Sequence, residues 1–162
     1  MERERLEYCI GRWDHYYDSV NNKSAVFLGL GTFIVGGLVA AYPTILEKVT
    51  CNCFIHLLMA LLIGIGVAIM IIVIRASIPY LGQDDRSLLY FGTVSSLSEE
   101  EFCERSISCT ANEDLVDLRK QAHQLSIGLK HKFERLKVAG ILFTIQFYLF
   151  IPLLLTIIFN LK

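Results

Sequence analysis

Charged residues are scarce in this sequence, and three long windows contain none. Of the 162 residues, 54% are apolar and only 19% are charged, which is too apolar for a soluble domain of this size. The uncharged windows are 24–46, 49–74 and 138–161. About 20 apolar residues cross the hydrocarbon core as a helix, and lipid excludes the open backbone of irregular segments. The sequence therefore predicts three transmembrane helices in contact with the lipid bilayer.

Recognisable catalytic motifs are also absent. The chain contains no GxGxxG, no P-loop, no HExxH and no nucleophile elbow, and its four histidines are scattered. Residues 75–137, between the second and third windows, leave little room for a walled cleft. We therefore expect a protein that is not an enzyme and that needs no cofactor.

Lysine and arginine are distributed unequally around the windows. Four of the 15 precede the first window and nine lie within 75–137, whereas only Lys48 and Lys162 lie elsewhere. Because these residues are enriched on the cytoplasmic side, the amino terminus is predicted to be cytoplasmic. The chain then consists of an amino-terminal helix and transmembrane hairpin (1–78), a cytoplasmic helical segment (79–137) and a third transmembrane helix (138–162).

The five cysteines give little support for disulfides or for a metal site. Three of them fall on the predicted cytoplasmic side, where thiols stay reduced. Cys51, Cys53 and His56 supply two thiols and one imidazole within six residues, but tetrahedral zinc needs a fourth ligand. We predict that no metal binds, and any other role of these three residues stays open.

Two seams of apolar residues extend the outer windows into water. The first seam steps by three or four residues from Leu6 to Val20, and the second does so from Leu115 to Leu136. No proline or other strong stop separates either seam from the window that follows it. Single helices over 4–46 and 113–160 are therefore predicted, each half in water and half in lipid.

Two capping boxes mark the starts of helices in the segment 79–137. Ser98 precedes Glu101 by three residues, and Thr110 precedes Glu113 by the same spacing. The acidic run 99–101 then lies in a first helical turn, where the helix dipole favours negative charge. The predicted fold class is an all-α membrane protein with three transmembrane helices and long cytoplasmic helical extensions, assembled as an oligomeric bundle.

Small residues in the first window predict close packing between the first two spans. In lipid, small side chains four residues apart let helix backbones approach each other. We expect spans one and two to form a tight hairpin in which the second span, which has no polar side chain over 57–74, faces lipid. The small pairs are Ala25 with Gly29, Gly36 with Ala40, and Gly37 with Ala41.

The third window carries three polar side chains on one side of the helix. Gln146, Thr156 and Asn160 fall within about 80° of one another on a helical wheel, and an amide facing lipid is costly. They either line a water-filled path or form hydrogen bonds with a neighbouring helix. Three spans are too few to enclose a pore, so a conduit requires several copies around an axis, and a tetramer is favoured.

The segment before the third window is strongly basic. Residues 119–137 contain six Lys and Arg against the single acid Glu134. Such residues commonly contact lipid head groups, but they also suit an anionic ligand whose phosphates they bind and whose base stacks on an aromatic ring. The candidate ligand-binding residues are Arg119, Lys120, His123, Lys130, Arg135, Trp13 and Tyr17.

Two spans are followed in this sequence by a Tyr-Phe-Gly motif at residues 90–92, a short helix, a long helix carrying QAHQLSIGLKHKF and a third span. This order resembles the Pycsar-type membrane effectors of bacterial antiphage defence. The plan is also similar to that of the membrane component of the Hailong defence system. The matching residues are Asn22 to Ala25, Tyr90, Phe91, Gly92, Phe102, Gln121, His123, Ser126, Lys130, Lys132 and Phe133.

The resemblance implies a nucleotide-responsive effector that forms a homo-oligomeric channel or pore in the bacterial inner membrane and causes abortive infection. Its signal is a nucleotide second messenger or a short oligonucleotide, made by a cognate nucleotide-synthesising enzyme. Tyr90, Phe91 and Gly92 are then a packing motif that holds the short acidic helix against the bundle by burying two aromatic rings. The alternative is a ligand-free membrane scaffold or adaptor that recruits a cytoplasmic partner.

Overall fold

The structure, a computed structural model, describes residues 1–48, 53–78 and 86–160, and most of these residues are helical. Five helices follow one another along the chain, and these ranges contain no strand, which confirms the all-α prediction. The helices are α1 (Glu2–Lys48), α2 (Cys53–Ser77), α3 (Phe91–Val94), α4 (Glu99–Ser108) and α5 (Ala111–Phe159).

Three of these helices, α1, α2 and α5, are long and apolar enough to cross a membrane. The predictions of single helices over 4–46 and 113–160 are confirmed to within two residues at each end, because α1 and α5 run without a break from polar into apolar sequence. The start of the second window, 49–52, lies outside the described residues.

The chain divides into two compact units. The membrane unit comprises Val20–Ile78 and Lys132–Lys162, and the polar unit comprises Met1–Ser19 and Pro79–His131. Both long helices contribute to both units, since α1 passes Ser19 and α5 passes His131 without interruption.

The core of the membrane unit forms around α2. Eight residues of α2 are buried, against four of α1, whereas Leu57, Leu61 and Ile71 on the other side of α2 are exposed, so contact of this side with lipid stays a prediction. A Cβ atom at Gly66 would collide with Val35 of α1 and would lie 2.9 Å from Nε2 of Gln146 in α5. Gly66 therefore lets α2 approach both neighbouring helices closely.

The small pairs predicted in α1 do not make this close contact. Gly29, Gly36 and Gly37 are exposed, and a Cβ added at any of them would meet no atom of the described residues within 4 Å. The contact lies instead at Gly31, where a Cβ would be 3.2 Å from Cγ of Met70. The spacing of small residues correctly indicated that α1 packs closely against α2, but it indicated the wrong face of α1. Small residues occur on both faces of α1, so their spacing does not distinguish the two.

The polar unit is formed by the start of α1, the helices α3 and α4, and the first half of α5. The capping box of α4 is present as predicted, with Glu101 N–H donating to Ser98 Oγ and Ser98 N–H donating to the Glu101 carboxylate. Thr110 and Glu113 make the equivalent pair of bonds at the start of α5. Local polar pairs thus set where both helices begin.

Candidate functional site

An open cleft of about 830 Å³ lies within the polar unit. Its walls are the end of α4, the first half of α5 and the segment 86–88, which precedes α3. Three cationic side chains, those of Arg86, Arg105 and Lys120, line this cleft together with the carboxylates of Glu113 and Asp117. Leu88 and Val116 add apolar surface. This composition suits a ligand that has both an anionic part and a flat apolar part.

A network of hydrogen bonds around Ser87 holds one wall of the cleft on α5. The Ser87 hydroxyl donates to Oδ2 of Asp117 at 3.0 Å and accepts from Nε2 of Gln121 at 2.9 Å. It also accepts from the backbone N–H of Tyr90 at 2.9 Å, and Ser87 itself is only 1% exposed. One serine therefore joins two successive turns of α5 to the backbone just before α3.

Asp117 completes this network with only one of its two oxygens. Oδ2 accepts from the backbone N–H of Leu88 at 2.9 Å as well as from Ser87, whereas Oδ1 is buried without a hydrogen-bond partner among the described residues. A buried acceptor without a donor from the protein is costly unless water or a ligand supplies one, and Asp117 lines the cleft where either could do so. The Ser87, Asp117 and Gln121 network is thus the part of the polar unit most suggestive of function.

Neither Ser87 nor Asp117 was among the residues singled out from the sequence. Gln121 was noted only as part of the resemblance. The available signal was the serine three residues before Tyr90, since serine hydroxyls often accept from the backbone N–H groups of the next turn. The partner of that serine lies 30 residues away, which no local pattern indicates.

The Tyr90, Phe91 and Gly92 motif forms the turn that enters α3. The Tyr90 ring lies directly over Gly92, where an added Cβ would be 2.8 Å from Cζ of the ring. Phe91 contacts Tyr90 with ring centroids 5.1 Å apart, but Phe91 is 68% exposed. The expected burial of both aromatic rings is therefore wrong within this chain, and Gly92 serves the close approach of the Tyr90 ring.

The seven candidate ligand-binding residues do not form one site. Lys120 lines the cleft, while His123 and Lys130 are exposed on α5, and Trp13 is half-buried on α1. Tyr17 donates from its hydroxyl to the carbonyl oxygen of Leu125 at 2.8 Å. The structure thus places only one of the seven in the cleft.

The remaining two candidates have partners of their own. Both Nε and Nη2 of Arg119 donate to the Glu2 carboxylate at 2.9 Å, and this bond lowers the pKa of Glu2. Arg135 lies in the membrane unit and donates to the carbonyl oxygen of Arg75. Arg119 fastens the start of α1 to α5, and Arg135 bonds to the end of α2.

A second cation reaches the same end of α2. Lys132 is only 5% exposed, and its Nζ donates to the carbonyl oxygen of Ala76 at 2.8 Å. The last carbonyls of a helix have no intrahelical partner and carry the negative end of its dipole. Lys132 and Arg135 therefore stabilise the end of α2 from two successive positions on one face of α5.

The three candidate pore-lining residues make hydrogen bonds within the membrane unit. Gln146 is fully buried, and its Nε2 donates to the carbonyl oxygen of Leu62 in α2 at 2.9 Å, while its Oε1 has no hydrogen-bond partner among the residues that the structure describes. Thr156 and Asn160 donate to carbonyl oxygens one turn earlier in α5. Of the two roles considered for Gln146, the interhelical hydrogen bond is present in this chain, and pore lining stays a prediction.

The described residues contain no group of three or more side chains that could hold a metal ion. Cys51 lies outside the described residues. Nδ1 of His56 lies 2.6 Å from the Tyr42 hydroxyl, and the two rings meet edge to face. One nitrogen of this imidazole is therefore already engaged by an aromatic neighbour.

Comparison with known proteins gives one family. No curated protein and no solved structure matches the chain. The family described as the Pycsar effector protein domain matches residues 5–160, which include all of α2 and α5, all but the first three residues of α1, and every residue that lines the cleft. The chain therefore belongs to the Pycsar effector family and is a multi-pass membrane effector of this antiphage defence.

Proposed function

We propose that the protein is a nucleotide-responsive effector that forms a homo-oligomeric channel or pore in the bacterial inner membrane. The observation that carries the proposal is that α5 is one unbroken helix from the cleft to the end of the third apolar segment. A ligand that moves the first half of such a helix acts on the second half as well. The polar unit and the amino terminus are cytoplasmic in this proposal, in keeping with the distribution of Lys and Arg.

The ligand is a cyclic mononucleotide or a short oligonucleotide made by a cognate nucleotide-synthesising enzyme. Arg86, Arg105 and Lys120 bind its phosphate oxygens, since charge-assisted bonds from cations to phosphate are strong. Leu88 and Val116 contact the base. A volume of about 830 Å³ is ample for one nucleotide and admits a second.

The available binding energy is sufficient for gating. Shifting a closed to open ratio from 99:1 to 1:99 requires a preference of about 5.5 kcal/mol for one state. Hydrogen bonds to charged groups contribute about 1.5–3 kcal/mol each. Two or three phosphate contacts that exist in only one state therefore suffice, without any chemical step, and we propose that the protein is not an enzyme.

The test uses the full chain reconstituted in proteoliposomes with a panel of cyclic mononucleotides and short oligonucleotides. Replacing Arg105 and Lys120 with alanine should abolish nucleotide-induced leakage while leaving membrane insertion unchanged. Arg5→Ala is the matched control, because Arg5 is an exposed cation of the polar unit that does not line the cleft. An undiminished response in the double variant contradicts the site.

The salt dependence of binding separates the two ligand classes. Each phosphate contact releases counterions, so affinity for an oligonucleotide should fall steeply with salt, and affinity for a mononucleotide only weakly. A plot of the logarithm of the binding constant against the logarithm of the salt concentration gives a slope, and a slope expected for one phosphate contact identifies a mononucleotide signal.

The alternative of a ligand-free scaffold or adaptor is favoured by one feature of the polar unit. Phe91 is 68% and Ile107 is 87% exposed, as expected of residues that contact a partner. Purified protein in a planar bilayer decides between the two functions. No conductance with or without the nucleotide panel supports the scaffold, whereas nucleotide-dependent steps support the channel.

A further inference from the structure

Helix α4 is the least packed helix of the polar unit. It has ten residues, none of which is buried, and only Phe102 is half-buried. Helices of this length are marginal in water unless one face packs against something. The side of α4 opposite Phe102 carries Glu100, Cys103, Glu104 and Ile107, all of them exposed. We call these four residues the outer face of α4.

Helix α5 carries a complementary exposed stripe within the same unit. His123, Ile127, Lys130 and His131 fall within about 100° on the helical wheel. They lie opposite the buried residues Leu118, Ala122 and Leu129, so the stripe faces away from the core. In the stripe, cationic or titratable side chains surround one half-buried isoleucine. We call these four residues the α5 stripe.

We propose that the outer face of α4 docks on the α5 stripe of a second copy of this chain. Each surface has one isoleucine beside polar side chains, and the charges are opposite, with Glu100 and Glu104 on one surface and Lys130 on the other. Opposite charges around an apolar centre set the register of a helix pair and exclude wrong pairings. A second copy is the occupant because one chain presents both halves of the contact.

The contact is head-to-tail, since the two surfaces differ. A heterologous contact repeated by rotation closes into a ring, which is the symmetry that a pore along an axis requires. The inference rests on the homo-oligomer of the proposed function but not on its nucleotide. It also assigns His123 and Lys130, two of the candidate ligand-binding residues, to the contact between subunits.

A charge-reversal pair tests the contact in the full chain in nanodiscs, with subunit number read by native mass spectrometry. One variant carries Glu100→Lys with Glu104→Lys, and the other carries His123→Glu with Lys130→Glu. Each variant alone should weaken assembly about tenfold, because like charges then meet at every contact. An equimolar mixture of the two variants should restore assembly, because the outer face of each variant again meets an α5 stripe of opposite charge on the other. The two variants must then alternate around the ring, so only even subunit numbers should appear.

The outcomes separate this inference from the proposed function. Assembly that is unchanged in both variants, or not restored by mixing, overturns the inference and leaves a nucleotide-gated oligomer intact. A monomeric unmodified protein that still permeabilises membranes overturns the inference together with the homo-oligomer. If the variant with Arg105 and Lys120 replaced by alanine assembles normally but no longer responds to nucleotide, the result supports the ligand site and leaves the contact between subunits unaffected.

Cross-linking provides a second test that does not depend on charge. Ile127→Cys should form an intersubunit disulfide with the native Cys103 under mild oxidation, giving a covalent ladder on a denaturing gel. Adding Cys103→Ser should abolish the ladder. Asp14→Cys, at an exposed position of α1 in the same unit, should give no ladder and serves as the control. The absence of a ladder from Ile127→Cys, or its persistence without Cys103, overturns the contact.

Discussion

Replacing Gln146 with leucine is expected to stabilise the membrane unit, although it removes a hydrogen bond between α5 and α2. Nε2 of Gln146 donates to the carbonyl oxygen of Leu62, but the buried Oε1 of the same amide has no partner within the described part of the chain. Leucine removes both atoms together. The carbonyl of Leu62 keeps its bond within α2, because helical carbonyls accept from the residue four positions later.

The magnitude follows from these two opposing effects. Interhelical hydrogen bonds in membranes contribute about 0.6 kcal/mol on average, with a maximum near 1.7 kcal/mol. An unsatisfied buried acceptor costs about 1–3 kcal/mol. Gln146→Leu should therefore raise the free energy of unfolding by about 1 kcal/mol. Gln146→Glu should lower it by at least about 2 kcal/mol, because a charged group at this depth is far costlier.

Unfolding by SDS in mixed micelles, followed by helical circular dichroism, measures these changes. Thr144→Val is the control, because Thr144 is exposed and donates to the carbonyl oxygen of Gly140 in its own helix. The control should change stability by less than about 0.5 kcal/mol. If Gln146→Leu is destabilising by more than about 1 kcal/mol while the control is neutral, the reasoning about the unpaired oxygen is refuted.

The same variant separates the structural role of Gln146 from its predicted role in a pore. A residue used only for packing leaves single-channel conductance unchanged when it is replaced by leucine. If Gln146 lines the conducting path, its replacement by leucine should lower the conductance even though the protein becomes more stable. Stability and conductance therefore need to be measured on the same preparation.

Two further predictions concern the polar unit. Gly92→Ala should destabilise the protein by about 1 kcal/mol in chemical denaturation, because the new Cβ displaces the Tyr90 ring. In a Tyr90→Ala background the same substitution should be neutral or stabilising, because only the better helix propensity of alanine remains. Equal effects in both backgrounds contradict the close approach of the Tyr90 ring to Gly92. Backbone and side-chain hydrogen bonds from Thr110 lower the pKa of Glu113 below its ordinary value of 4.5. The ionised carboxylate therefore stabilises the fold above pH 4.5, and this contribution is lost as the pH falls through the lowered pKa. Thr110→Val should return the pKa of Glu113 part of the way upward in an NMR titration, and an unchanged pKa would exclude the hydroxyl as a cause.

The long helices could be predicted from the sequence because their signals are local. Apolar windows, three-and-four spacing and the Ser98 and Thr110 caps each involve neighbours within one or two turns. The ends of α1 and α5 therefore agree with expectation to within two residues. The face of α1 that meets α2 was predicted wrongly, because small residues on either face fit the spacing rule equally well.

The candidate site could be predicted only in part. A basic region was evident near residue 120, and Lys120 does line the cleft. Its other walls come from segments that are distant in sequence, and Ser87 finds its partners 30 and 34 residues away. Such pairings depend on how a loop folds back on α5, which hydropathy and spacing do not record.

The bonds at the end of α2 limit how the membrane unit can move. Lys132 and Arg135 hold the carbonyl oxygens of two adjacent residues, Ala76 and Arg75, from two positions on α5. Sliding α5 along α2 by one helical turn, about 5.4 Å, would break both bonds and leave the buried ammonium of Lys132 without these oxygens. A tilt of α5 about this point preserves them. The two bonds at the end of α2 therefore oppose sliding of α5 more than tilting, and a tilt that moves the far end of α5 away from α2 must break the bond from Gln146 to Leu62.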